Sequence, residues 1–125
     1  MTSPVKTAAI SVLALRVVYG AGLIAAPERL ARRWLGPSSG TPPTQVALRG
    51  LGAREIVLHG AAIAAALNDL PLRPFLAASA AGDLADVAAT LAGRSGLPDG
   101  AAPATAIVAG GSALLTAAVA AAVDR

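Results

Sequence analysis

The sequence predicts an all-α fold: a four-helix transmembrane bundle with a buried ionic layer and a short interfacial helix after the first span. Three observations carry that expectation. Hydrophobic residues make up 55% of the chain and charged residues 14%, against roughly 25% charged in ordinary soluble domains. Four apolar stretches of 19–24 residues are separated by short polar breaks, each stretch close to the ~20 residues that cross a bilayer core. Within those stretches sit Arg16, Arg54, Glu55, His59, Asp83 and Asp86.

The elements follow in order along a single domain of 125 residues, 1–125. The first span covers about 8–26 and stops before Pro27, because a proline disfavours helical geometry in the residue ahead of it. Arg16 in mid-stretch, and Pro27 directly after Ala25 and Ala26, argue for a retained helix rather than a cleaved signal peptide. From Pro27 to Gly36 the chain reads as the interfacial helix. Proline suits a first helical position, Glu28 suits the positive end of the dipole, and Arg32 and Arg33 suit the other end. Arg29, Arg32, Arg33 and Trp34 together suit lipid headgroups.

The second span covers about 44–67, after a break rich in proline and glycine. Asn68-Asp69-Leu70-Pro71 turns the chain into the third span, about 72–92, and a second Gly/Pro-rich break leads to the fourth, about 104–123, which carries no charge. No strand-like alternation with hairpin turns is present. Both termini and the turn near residue 70 share one side of such a bundle. That side carries Lys6, Arg73 and Arg125, whereas the other carries Arg29, Arg32, Arg33 and Arg94. The excess of arginine points the first and third loops to the cytoplasm.

Composition removes several function classes. The absence of cysteine excludes disulfides, thiol nucleophiles and Cys-ligated metals. A net charge of +3 without a basic stripe, and aromatics at 2%, argue against nucleic-acid binding. Gly50, Gly52 and Gly60 follow no strand, so they serve close helix packing rather than a nucleotide loop. No hydrolase elbow, zinc-protease helix or phosphate loop occurs. No metal or cofactor site and no catalytic residue is assigned.

The charges inside the spans are the candidate site. A charge at bilayer depth costs about 2.5–3.5 kcal/mol on insertion scales, so it persists when paired, hydrated or useful. Arg54 lies 13 residues before Leu67 and Asp86 13 residues after Arg73, which puts both roughly 20 Å from one membrane face. Glu55 and His59 share a helix face. Ser79, Asp83, Asp86 and Thr90 form a narrow stripe that should face the bundle interior. The pattern fits interhelical salt bridges that fix register, or a polar cavity for a headgroup, a small polar ligand or a proton. Asp83 and Asp86 could also hold Mg²⁺ and a diphosphate, although a second acidic motif is missing.

Arg16 with Tyr19-Gly20, the run Ala26-Pro27-Glu28-Arg29-Leu30-Ala31-Arg32, the run Arg49-Gly50-Leu51-Gly52-Ala53-Arg54-Glu55, and Gly82-Asp83-Leu84-Ala85-Asp86 give the chain a family likeness. It resembles small four-helix bacterial integral-membrane proteins classed as a domain of unknown function. That resemblance implies the architecture and brings no activity with it. The expected function is a multi-pass cell-membrane protein with a non-enzymatic accessory or ligand-binding role, in contact with membrane lipids. Two alternatives stand beside it: a dimeric proton-coupled small transporter and a lipid-modifying enzyme. Ala109, Ala113, Ala117 and Ala121 recur every four residues in the fourth span and suit close packing within the monomer or across a homodimer.

Overall fold

A computed structural model describes residues 1–123; Arg125, counted above with the termini, lies outside them. The described residues form five α-helices: α1 (Ser3–Ala25), α2 (Pro27–Leu35), α3 (Pro42–Leu67), α4 (Arg73–Ala92) and α5 (Ala101–Ala122). Four of them, all but α2, are long and apolar enough to cross a membrane. Short 3₁₀ turns fill Gly36–Gly40 and Arg94–Gly96.

Helix boundaries follow local chemistry. Helix α1 begins five residues earlier than the apolar run suggests, because the Thr2 hydroxyl accepts a hydrogen bond from the Val5 amide at 3.4 Å and caps the first turn. It ends at Ala25, before Ala26, whose φ of −143° and ψ of 63° are non-helical, as the following proline demands. Helix α5 likewise starts earlier than expected, at Ala101, after Gly100 takes a left-handed φ of 85° that glycine adopts without strain. Its other end is closed by Arg73, which donates from Nε to the Ala120 carbonyl at 3.1 Å and from its terminal nitrogen to the Val123 carbonyl at 3.4 Å. Those carbonyls have no partner within the helix, so a cation there is favourable.

The helices pair as α1 along α3 and α4 along α5, while α3 and α4 touch only sparsely despite the short turn between them. Glycine sets this pairing. A Cβ on Gly52 would stand 2.5 Å from the Gly20 carbonyl oxygen, and one on Gly20 would stand 2.6 Å from the Gly52 carbonyl oxygen. Such an approach is open only to glycine. The main apolar cluster lies towards the end of the bundle that holds the α3–α4 turn, around Ala9, Leu13, Ala62, Leu72, Leu76 and Val123. A smaller cluster, Leu23, Ala31 and Leu48, lies under α2 at the other end. Polar side chains occupy the space between the two.

Candidate functional site

Arg16 organises the polar interior. It projects from α1 one turn before the glycine crossing, towards Glu55 on α3. Its Nε donates to Glu55 Oε2 at 2.9 Å and a terminal nitrogen donates to Oε1 at 3.0 Å, a bidentate fork. The same terminal nitrogen stands 2.8 Å from Asp83 Oδ1 on α4. The other donates to Asp83 Oδ2 at 2.9 Å and to Ser112 Oγ on α5 at 2.8 Å. Four of the five N–H donors of the guanidinium are hydrogen-bonded, a further ion-pair contact reaches Asp83, and one side chain ties together α1, α3, α4 and α5.

His59 continues the network one turn along α3. Its Nδ1 lies 2.7 Å from the Glu55 carbonyl oxygen and Nε2 lies 2.8 Å from Ser79 Oγ on α4. A carbonyl only accepts, so Nδ1 carries the hydrogen. In the neutral ring, Nε2 then accepts from the Ser79 hydroxyl. His59 is 1% exposed, with Glu55 Oε2 also 3.3 Å from Nδ1. Both ring nitrogens are satisfied, as burial requires.

Asp86 stands apart from this saturated network. It is half-buried and makes no hydrogen bond or ion pair among the described residues. It lines two neighbouring cavities. The outer one, about 360 Å³, is lined by Tyr19, Leu30, Arg33, Trp34 and Val108 and by small residues of α5. The inner one, about 190 Å³, reaches Arg16, Glu55, Asp83 and Ser112. Both are open to the outside and mostly apolar in lining, a composition typical of small-molecule pockets. At the other end of the network the apolar cluster around Leu13, Leu72 and Leu76 closes the bundle.

The structure brings together Arg16, Glu55, His59 and Asp83, with Asp86 at the edge of the same space. It does not bring in Arg54, which is exposed and has no ion pair among the described residues. Matching depths suggested that Arg54 belonged to the layer with Asp86, but depth says nothing about azimuth. Arg54 follows Ala53 and precedes Glu55, and one residue is a 100° turn. With Glu55 committed to Arg16, Arg54 must point elsewhere.

Trp34 has a partner inside the protein. Its indole Nε1 donates to Thr90 Oγ1 at 2.8 Å, and the ring lines the outer cavity. One face of the indole is therefore turned into the bundle. Arg29, Arg32 and Arg33 are exposed, Arg33 at the cavity rim, and Arg32 pairs with Glu28 at 3.3 Å. Sequence reasoning missed Ser112 and Tyr19. Ser112, a hydroxyl near the middle of an uncharged span, carried a signal that the alanine repeat around it obscured.

Both Asp83 oxygens contact Arg16, and the described residues contain no group of three or more His, Asp or Glu placed to hold a metal ion. The fold and site thus define an all-helical protein with four helices able to cross a membrane. No family model, curated protein or solved structure matches the chain.

Proposed function

We propose that the protein is a multi-pass cell-membrane protein that binds, without chemical conversion, an amphiphilic cation: an apolar body in the outer cavity and a positive group at Asp86. The observation that carries this reading is Asp86 itself, a carboxylate with no partner among the described residues, in the wall of two neighbouring, largely apolar cavities. Two guanidiniums, Arg16 inside and Arg33 at the rim, stand against the three carboxylates Glu55, Asp83 and Asp86, so one negative charge is left for a further cation. Tyr19 and Trp34 in the wall suit an ammonium-type group through their ring faces.

Support for a binding pocket over a conduit comes from the apolar cluster that closes the opposite end. A proton-coupled transporter would need a path through Leu13, Leu72 and Leu76, all at most 1% exposed. In this reading the ionic layer lies within the bilayer. Helix α2 rests at the cytoplasmic surface, with Arg29, Arg32 and Arg33 towards anionic headgroups and Trp34 as part of the pocket roof.

Trp34 is the sole tryptophan and reports on the cavity directly. Protein in lipid nanodiscs is titrated with tetraphenylphosphonium and, separately, with tetraphenylborate, while Trp34 emission is followed. The cation should give a saturable change and the anion of matching shape should not. Asp86→Asn should weaken cation binding at least ~10-fold, the loss of about one close charge interaction in a partly hydrated site. Equal responses to the two ions, or unchanged affinity in Asp86→Asn, would overturn the proposal.

A further inference from the structure

Arg54 raises a separate question. It lies 12 residues from Pro42 and 13 from Leu67, at the midpoint of α3, and it is exposed. Either end of the helix is therefore about 18–20 Å away. Snorkelling carries a charge along the length of one side chain, which does not cover that distance. If α3 spans a bilayer, as proposed above, Arg54 in a lone protomer faces hydrocarbon.

The height of its complement can be read from the internal contacts. Gly52 meets Gly20 and Glu55 meets Arg16, so Arg54 lies level with residues 17–18 of α1. Asp83 also meets Arg16, and α4 starts from the same end as α1, where Lys6 pairs with Asp69 at 3.2 Å. Asp86, three residues further on, is level with residue 19 of α1. The two unpaired charges thus differ in height by roughly 3 Å. Copies related by rotation about the membrane normal keep every residue at its own height. In such an assembly, Arg54 of one copy meets Asp86 of another at the same depth. Apolar side chains suited to an interface flank both positions: Val57, 71% exposed, beside Arg54, and Val108, 72% exposed, on the outer wall of the cavity.

We infer that the chain self-associates with parallel orientation, and that Arg54 of a neighbouring copy enters the outer cavity and pairs with Asp86. One contact then satisfies both unpartnered charges, and the second copy completes the site. The inference rests on the membrane-spanning reading and makes the neighbour's guanidinium a competitor of the cationic ligand for Asp86.

Native mass spectrometry of protein released from nanodiscs, over a range of protein-to-lipid ratios, tests it. Wild type should form oligomers. Arg54→Gln should weaken self-association at least ~30-fold, since truncating one partner of a desolvated charge pair has that effect or a larger one. Arg54→Asp and Asp86→Arg should each be monomeric, and an equimolar mixture of the two should re-associate, because opposite charges again face one another across the contact. Should Asp86→Arg fail to fold, the exposed Arg54 variants decide the matter. Monomeric wild type, or Arg54→Gln within ~3-fold of wild type, would overturn the inference. Tetraphenylphosphonium binding is measured on the same samples: monomers that bind it would leave the pocket standing and remove only the assembly.

Discussion

Removing the Arg16 guanidinium should cost the protein much of its stability, and restoring charge balance should return most of it. Arg16→Met leaves Glu55 and Asp83 facing each other with side chains only 12% and 4% exposed. Breaking a buried ion pair in this way costs about 3–5 kcal/mol, because the remaining charges are neither hydrated nor paired. Replacing all members of a buried ionic group by apolar residues of similar volume is often neutral or stabilising. The triple variant Arg16→Met/Glu55→Met/Asp83→Leu should therefore recover to within about 1 kcal/mol of wild type. Arg16→Lys falls between the two. An ammonium has three donors against five and cannot form the fork to Glu55. Two lost charge-assisted hydrogen bonds at about 1.5 kcal/mol each place it about 3 kcal/mol below wild type. Unfolding in mixed micelles of increasing SDS content, followed by helical circular dichroism, supplies these differences. An Arg16→Met variant within about 0.5 kcal/mol of wild type, the range of an exposed pair, would refute the reasoning. So would a triple variant no more stable than the single one.

Two further expectations separate packing from polar satisfaction. Gly52→Leu should destabilise by about 1–3 kcal/mol or more, since even a Cβ would stand 2.5 Å from the Gly20 carbonyl oxygen. By contrast, Gly50→Ala has nothing within 4 Å of the new Cβ and should be neutral or stabilising by up to about 1 kcal/mol; the same unfolding titration checks both. His59→Leu should cost about 1–3 kcal/mol by leaving the Ser79 hydroxyl without its partner. Restoring wild-type stability by adding Ser79→Ala would show that the hydroxyl carries most of that cost.

Much of the architecture was legible from residue type and spacing, for identifiable reasons. Spans of 19–24 apolar residues bounded by Pro27, Pro42, Pro43 and Pro71 left little freedom in helix number. The Pro27–Gly36 segment carried start and stop signals at both ends. Terminal extensions were less legible: the Thr2 cap and the Gly100 conformation depend on single residues outside the apolar runs. Within the polar interior, spacing along one helix was informative. Ser79, Asp83 and Thr90 do share a buried face, each 3% exposed. Relations between helices were not, because helical period fixes relative azimuth within one element and says nothing about which neighbour that face meets. Arg54 shows the limit. Its depth could be counted and its direction could not, since direction follows from the contact at Gly20 and Gly52 that pairs α1 with α3.

That contact also explains why the interior divides into a saturated part and an unsaturated part. Pressing α1 against α3 at two glycines brings Glu55 within reach of Arg16 Nε and leaves the other edge of the guanidinium for α4 and α5. Four hydrogen bonds and one further ion-pair contact then meet Glu55, Asp83 and Ser112, and the cation has little left to offer. Asp86 is one helical turn further along the same stripe of α4, beyond the reach of that fork. A structural salt-bridge layer would gain nothing from this fourth acidic or basic member, whose desolvation cost is not offset within the protomer. The division of labour follows from that arithmetic. Arg16, Glu55 and Asp83 hold the helices, and Asp86 faces the cavity as the one carboxylate of the stripe available to a partner from outside.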